Sequence, residues 1–220
     1  MCPSLLLEAL FYKLRNAGPW RDLPSQFGKW RTVYGWFRLW ADNGIWARLL
    51  KSVAKAERVV CLVDGTHIPV HQSGCNPRGG ADRQAMGRTR GGRNTKLMAL
   101  TDPCGRLLAA KLVAGQDYEG KHVLDLLPVN RSILLVGDKA YDDDKLRAAL
   151  EALGHRHCFP AKSNRREKRP FNRKYYKMRY AVEDFFRRIK RWGGAAVRRD
   201  KLASNFLAWL QMAAVSDWLI

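Results

Sequence analysis

Residues 132–154 read SILLVGDKAYDDDKLRAALEALG, and their apolar pattern changes period partway along. Ile133 to Val136 is a short aliphatic run, the mark of a strand buried on both faces. Asp142, Asp143 and Asp144 follow as an acidic cap, and apolar residues then recur at helical spacing up to Gly154. Strand, cap and helix make one α/β unit. Asp138 ends the strand, where burial desolvates a carboxylate unless a cation neutralises it. Strand ends in such sheets face the ligand crevice. A plain strand-terminating turn or helix cap suits Asp138 equally.

Working outward, RVVCLVDGTHIPV (residues 58–70) is a β-rich apolar run broken by Asp64-Gly65, and it carries a second acid of the same kind. Residues 71–93 hold five arginines against one aspartate among paired glycines. They predict a mobile basic loop that orders on a phosphate backbone. TKLMALTDPCGRLLAAKLV (95–113) predicts a hairpin turning at residues 102–105. EGKHVLDLLP (119–128) predicts a short helix and HRHCFPA (155–161) a last strand. His155, His157 and Cys158 lie too close together on that strand to converge on zinc. Strands first, helices interleaved later and an early hairpin describe an α/β fold with a mixed sheet over residues 58–220. Residues 1–57 are Trp-rich and helical in pattern, with breaks at Gly18-Pro19 and Asn43-Gly44. Lys29, Arg31 and Arg38 make this region either a small DNA-binding unit or a helical bundle with a basic surface.

After a cationic linker (162–174), residues 176–192 read YKMRYAVEDFFRRIKRW. Wound as one helix, Tyr176, Arg179, Glu183 and Lys190 fall within about 60° of one another. Met178, Val182, Phe185, Ile189 and Trp192 gather opposite, ready to dock on a core. The polar face is a lone carboxylate among cations and a phenol. It is also what a solvated helix face held by an Arg179–Glu183 i,i+4 pair looks like. The final helix is expected to bury Leu202, Phe206, Trp209, Leu210 and Ala213.

Composition selects the partner. Forty Lys and Arg against twenty Asp and Glu give a net charge of +20 over 220 residues. Such a field favours nucleic acid. Five cysteines without CxxC spacing argue against a disulfide framework or zinc knuckle. The N-terminus lacks the charged n-region of a secretory signal, and the C-terminal apolar run is interrupted by Gln211, Ser216 and Asp217. A cytoplasmic protein without membrane contact is expected. Two strand aspartates and an inward-facing helical glutamate form an oxygen-only set, which hard Mg²⁺ or Mn²⁺ prefers. Two such ions about 3.5–4 Å apart clamp an in-line phosphoryl displacement.

Asp64 in VDGT, Asp138 in GDKAYD and the spacing Tyr176-x2-Arg179-x3-Glu183-x6-Lys190 resemble bacterial insertion-sequence DDE transposases of the IS-Five class. PWRDLP (19–24), FGKWRTVYGWFRLW (27–40), GRTRGGRNTK (87–96) and KLASNFLAWLQMAA (201–214) are similar too, so the likeness spans essentially the whole chain. The resemblance implies an RNase H-like catalytic domain flanked by helices. It also implies Asp64, Asp138 and Glu183 as catalytic metal ligands for Mg²⁺ or Mn²⁺. The implied activity cleaves element ends and joins the 3′-hydroxyl to target DNA, in a homo-oligomeric synaptic complex on double-stranded DNA. Arg179, Lys190 and Tyr176, with Arg88, Arg90 and Arg93, are expected to contact that DNA. Family members usually carry extra residues before LFYKLRNAGPWRDLP, so an incomplete end-binding region is expected. The alternative expectation is a DNA-binding, transposition-defective truncated copy.

Overall fold

Strand β1 (Val60–Pro69) is the spine of a six-stranded mixed sheet. The computed structural model describes residues 2–54, 59–77 and 79–219; the boundary expected at 57/58 and Arg78 of the basic segment lie outside them. Along one edge β1 pairs antiparallel with β3 (Gly92–Thr101), from Leu62↔Thr101 to Pro69↔Asn94. Beyond β3 lie β2 (Gly87–Thr89) and, on the rest of the same edge, β4 (Leu107–Ala114). Along its other edge β1 runs parallel to β5 (Leu134–Val136), which in turn pairs parallel with β6 (Arg156–Cys158).

Alternation along β1 divides the interior in two. Leu62 and Ile68 face one apolar cluster, Cys61 and Val63 the other. The larger cluster packs beneath α1 (Pro3–Asn16), α2 (Trp30–Asp42), α3 (Ile45–Val53), the later helix α6 (Tyr180–Ile189) and the C-terminal helix α8 (Ala203–Leu219). The smaller lies beneath α4 (Asp144–Ala152) and two 3₁₀ turns at Glu119–His122 and Leu124–Leu126. Those turns replace the single short helix expected there.

Asp102 closes the β3–β4 turn as expected. Its carboxylate accepts the N–H groups of Cys104 and Arg106 at 2.8 and 2.9 Å, and Gly105 supplies φ 75°. Four other expectations are corrected. β1 is unbroken at Asp64-Gly65, so Asp64 stands within a ten-residue strand, because β3 supports it throughout. The basic segment 71–93 forms two 3₁₀ turns and a β2–β3 hairpin in place of a mobile loop. Buried Arg198 anchors it, donating to the carbonyl of Gln84 and to Thr95 Oγ1 at 2.7 and 2.9 Å. The 176–192 helix is split into α5 (Arg173–Lys177) and α6 (Tyr180–Ile189), because i→i+3 bonds tighten the chain at Met178 and Arg179.

Finally, α8 (Ala203–Leu219) is buried on nearly all sides, not one. It runs between the sheet and α1–α3, with Phe37 stacked on Trp209 at 4.0 Å and the short α7 (Gly193–Ala196) beside it. The N-terminal helices therefore share their core with the sheet.

Candidate active site

Leu62 pairs with Val136 as the last contact of the parallel strands, and Asp64 and Asp138 each stand two residues further on. Alternation puts both on the face of Leu62 and Val136, the face that α6 covers. Asp138 folds back over the following turn and accepts the Ala140 N–H at 2.7 Å. Asp64 accepts its neighbour Gly65's N–H at 2.8 Å.

Hydrophobic packing of Val182, Phe185 and Ile189 fixes α6 over this end of the sheet, and its polar face meets the acids. One guanidinium nitrogen of Arg179 lies 2.7 Å from Glu183 and 3.6 Å from Asp64. The ring of Tyr176 lies 5.9 Å from the same guanidinium and packs edge-on against Phe171. Lys190 caps α6 and donates to Thr66 Oγ1 at 2.7 Å, two residues along β1 from Asp64. Five of the expected site residues thus meet within one face; Asp138 joins them through its charge on Asp64. Arg88, Arg90 and Arg93 do not. They are exposed on the hairpin past the Pro69↔Asn94 pair, about 20 Å along the strand from Asp64.

Burial, helped by the nearby charges of Glu119 and Asp138, lifts the Asp64 carboxyl to about 6. The Gly65 N–H and Arg179 act in the opposite sense. Burial likewise lowers the affinity of Lys190 for its proton.

Glu119 is the residue sequence reasoning passed over. Its carboxylate lies against Gly65 on the other side of β1, so close that a Cβ there would be 2.7 Å from Glu119 Cδ. Tyr141 donates to it at 2.5 Å and Lys96 approaches at 3.2 Å. The available signal was the glycine after Asp64: only a residue without a side chain admits a carboxylate there.

Asp142, expected at the start of a helix, is instead a buried anchor. Arg147 and Arg165 donate to it, as does the Lys162 N–H, while Asp143 caps α4. Burial would raise its pKa, but those three donors hold it down at about 2.

The donor chemistry suits a hard dication: carboxylate oxygens only, with a half-buried Asp64 crowded by two further negative charges. Among the described residues, no three His, Cys, Asp or Glu side chains stand close enough to form a metal-holding group. Arg179 fills the gap between Asp64 and Glu183, so its guanidinium and a dication shared by that pair exclude one another.

Comparison with known proteins places the chain. Residues 55–218 match the family described as "Transposase DDE domain", and residues 3–50 match "Putative transposase of IS4/5 family". The chain belongs to the DDE-domain transposases, and to their insertion-sequence members. It is 29% identical over 130 residues to the "Putative transposase for insertion sequence element IS6501" of Brucella ovis, which covers 57% of this chain and 98% of that protein. It is 32% identical over 75 residues to the "Uncharacterized protein y4sN" of Sinorhizobium fredii, across 34% of this chain and 60% of that one. Its fold is similar to that of the piggyBac transposase, solved as a synaptic complex with hairpin DNA, with a TM-score of 0.53 at 11% identity. That match covers 79% of this chain and 49% of the other, and the fold is the RNase H-like one expected.

Proposed function

We propose that this chain is the DNA transposase of an insertion sequence, cleaving element ends and joining the 3′-hydroxyl to target DNA. The observation that supports the reading is the register of β1 and β5: its last pair, Leu62↔Val136, lies two residues before each of Asp64 and Asp138, on the face that α6 covers.

Asp64, Asp138 and Glu183 would hold Mg²⁺ or Mn²⁺, which when bound polarises the scissile phosphodiester and activates the attacking hydroxyl. The chain's own cations do the rest. Arg179 has the fork to grip a phosphate bidentately once a dication takes its place between the acids, and the Tyr176 ring lies 5.9 Å from it. Lys190 is a point charge fixed on β1 beside the acids, placed to hold the next phosphate. The hairpin arginines, Arg88, Arg90 and Arg93, extend this cationic track away from the scissile bond. The N-terminal helices offer Lys29 and Arg31 as exposed contacts with the element end. A homo-oligomer would bring two element ends together; the piggyBac transposase was solved as a synaptic complex with hairpin DNA. No helix among the described residues is long and apolar enough to cross a membrane.

A supercoiled-plasmid nicking assay with Mg²⁺ tests this. Wild type is expected to nick, and Glu183→Gln to fall by at least about a hundredfold with DNA binding retained. Equal nicking by both, or binding without nicking by either, would leave only a basic DNA-binding chain.

A further inference from the structure

Behind Asp64, on the face away from α6, lies a partly buried polar cluster that the activity above does not use. The segment carrying Asp117, Tyr118 and Glu119 is cross-linked twice to the turn that follows Asp138. Tyr118 donates through its hydroxyl to the Ala140 carbonyl at 3.1 Å, and Tyr141 donates to Glu119 at 2.5 Å. Lys96 of β3, buried at 6% exposure, binds both ends of the segment: the Asp117 carbonyl at 2.8 Å and Glu119 at 3.2 Å. Glu119 itself presses on the backbone of β1 at Gly65, the residue after Asp64.

One carboxylate therefore touches the strand that carries the first aspartate and the turn that carries the second. We propose that Glu119 is a positioning residue: it fixes the separation of Asp64 and Asp138 and so sets how well the pair takes a divalent cation. Gly65 is glycine to admit it. A half-buried side chain held between a lysine and a tyrosine holds such a spacing more firmly than the open face can, because each of its partners is fixed by its own element. The inference rests on the metal-dependent reading of the site, so its test needs a measurement that does not depend on DNA cleavage.

The full chain is titrated with Mn²⁺, following free ion by electron paramagnetic resonance, beside melting temperature and plasmid nicking. Glu119→Asp keeps the charge but draws the carboxylate back from Gly65 and Tyr141. Tyr141→Phe keeps the carboxylate and removes its tie to the Asp138 turn. Both are expected to weaken Mn²⁺ and slow nicking by about 10- to 100-fold. The double variant Lys96→Met/Glu119→Gln leaves no unpaired buried charge, so it should melt near wild type and show the same loss. Gly65→Ala should lower the melting temperature, and adding Glu119→Ala should restore it without restoring Mn²⁺ affinity.

Wild-type Mn²⁺ affinity in Glu119→Asp and Tyr141→Phe would overturn the proposal, as would losses that merely track melting temperature. Wild type that binds Mn²⁺ in a Glu119-dependent way yet never nicks would support the brace and refute the transposase reading. Wild type that binds no Mn²⁺ would overturn both.

Discussion

On the α6 face, Asp64 and Glu183 share a single guanidinium, and Glu183 keeps 54% of its side chain exposed. On the opposite face Asp142 is fully buried between Arg147 and Arg165, and Glu119 is clamped between Tyr141 and Lys96. The side-chain chemistry is the same on both faces: carboxylates with cations. What differs is whether the pairs are closed. The closed face fixes the backbone around the two aspartates. The open face leaves its cations in reach of a phosphate.

The largest effect should come from the closed face. Asp142→Ala would strand Arg147, which is nearly as buried as its partner, and the loss of one partner in such a pair costs about 3–5 kcal/mol. Because the Asp142 pKa is depressed, its contribution is present above pH 4 and disappears as pH falls toward 2. Glu183→Ala on the open face removes an exposed i,i+4 pair and should cost less than about 1 kcal/mol. Chemical denaturation of the two variants checks the contrast; similar losses would mean the faces are equally structural.

An intermediate effect of opposite sign is expected at Asp64. Its folded pKa, about 6, lies above the value for a free aspartate, so the folded chain holds this proton more tightly. The associated stability is present below pH 4 and is lost as pH rises through 6. At pH 7 without divalent metal, Asp64→Asn should therefore stabilise the chain, by about 1–3 kcal/mol, while abolishing nicking. Melting curves of both proteins in chelator from pH 4 to 7 should diverge upward; parallel curves would show that burial of Asp64 is not what strains the site.

How much of this was legible depends on the range of the interaction. The Asp138 strand, the Asp102 turn and the Gly44 break between α2 and α3 were readable because each is set by neighbours in sequence. The i,i+4 contact of Arg179 and Glu183 was readable for the same reason. The pairing of Asp64 with Asp138 was expected from their places on two strands and from the resemblance; the parallel register of β1 and β5 that underlies it is long-range and was not readable. Glu119 went unseen because nothing in AGQDYEGKHV marks a residue that will reach Gly65, Lys96 and Tyr141 from three other segments. The all-round burial of α8 was missed in the same way, since its second apolar side is created by Phe37 and its neighbours.

The smallest effect lies at the far end of the open face. Arg88 and Arg93 are directly opposite one another across the β2–β3 hairpin, and both are exposed. Like charges in that position repel, so the hairpin carries a cost of about 0.2–1 kcal/mol in the free protein. Asn76 accepts one hydrogen bond from Arg93 at 3.2 Å, but a neutral amide does not cancel two cations. A phosphate between them would. Arg88→Gln should then stabilise the free chain by a few tenths of a kcal/mol and weaken DNA binding. It should also reduce the slope of log affinity against log salt by about 0.9, one phosphate's worth. Titrating a DNA duplex at several salt concentrations reads that slope directly. If the slope is unchanged while Arg179→Gln lowers it, the DNA path ends at α6 and does not extend along the hairpin.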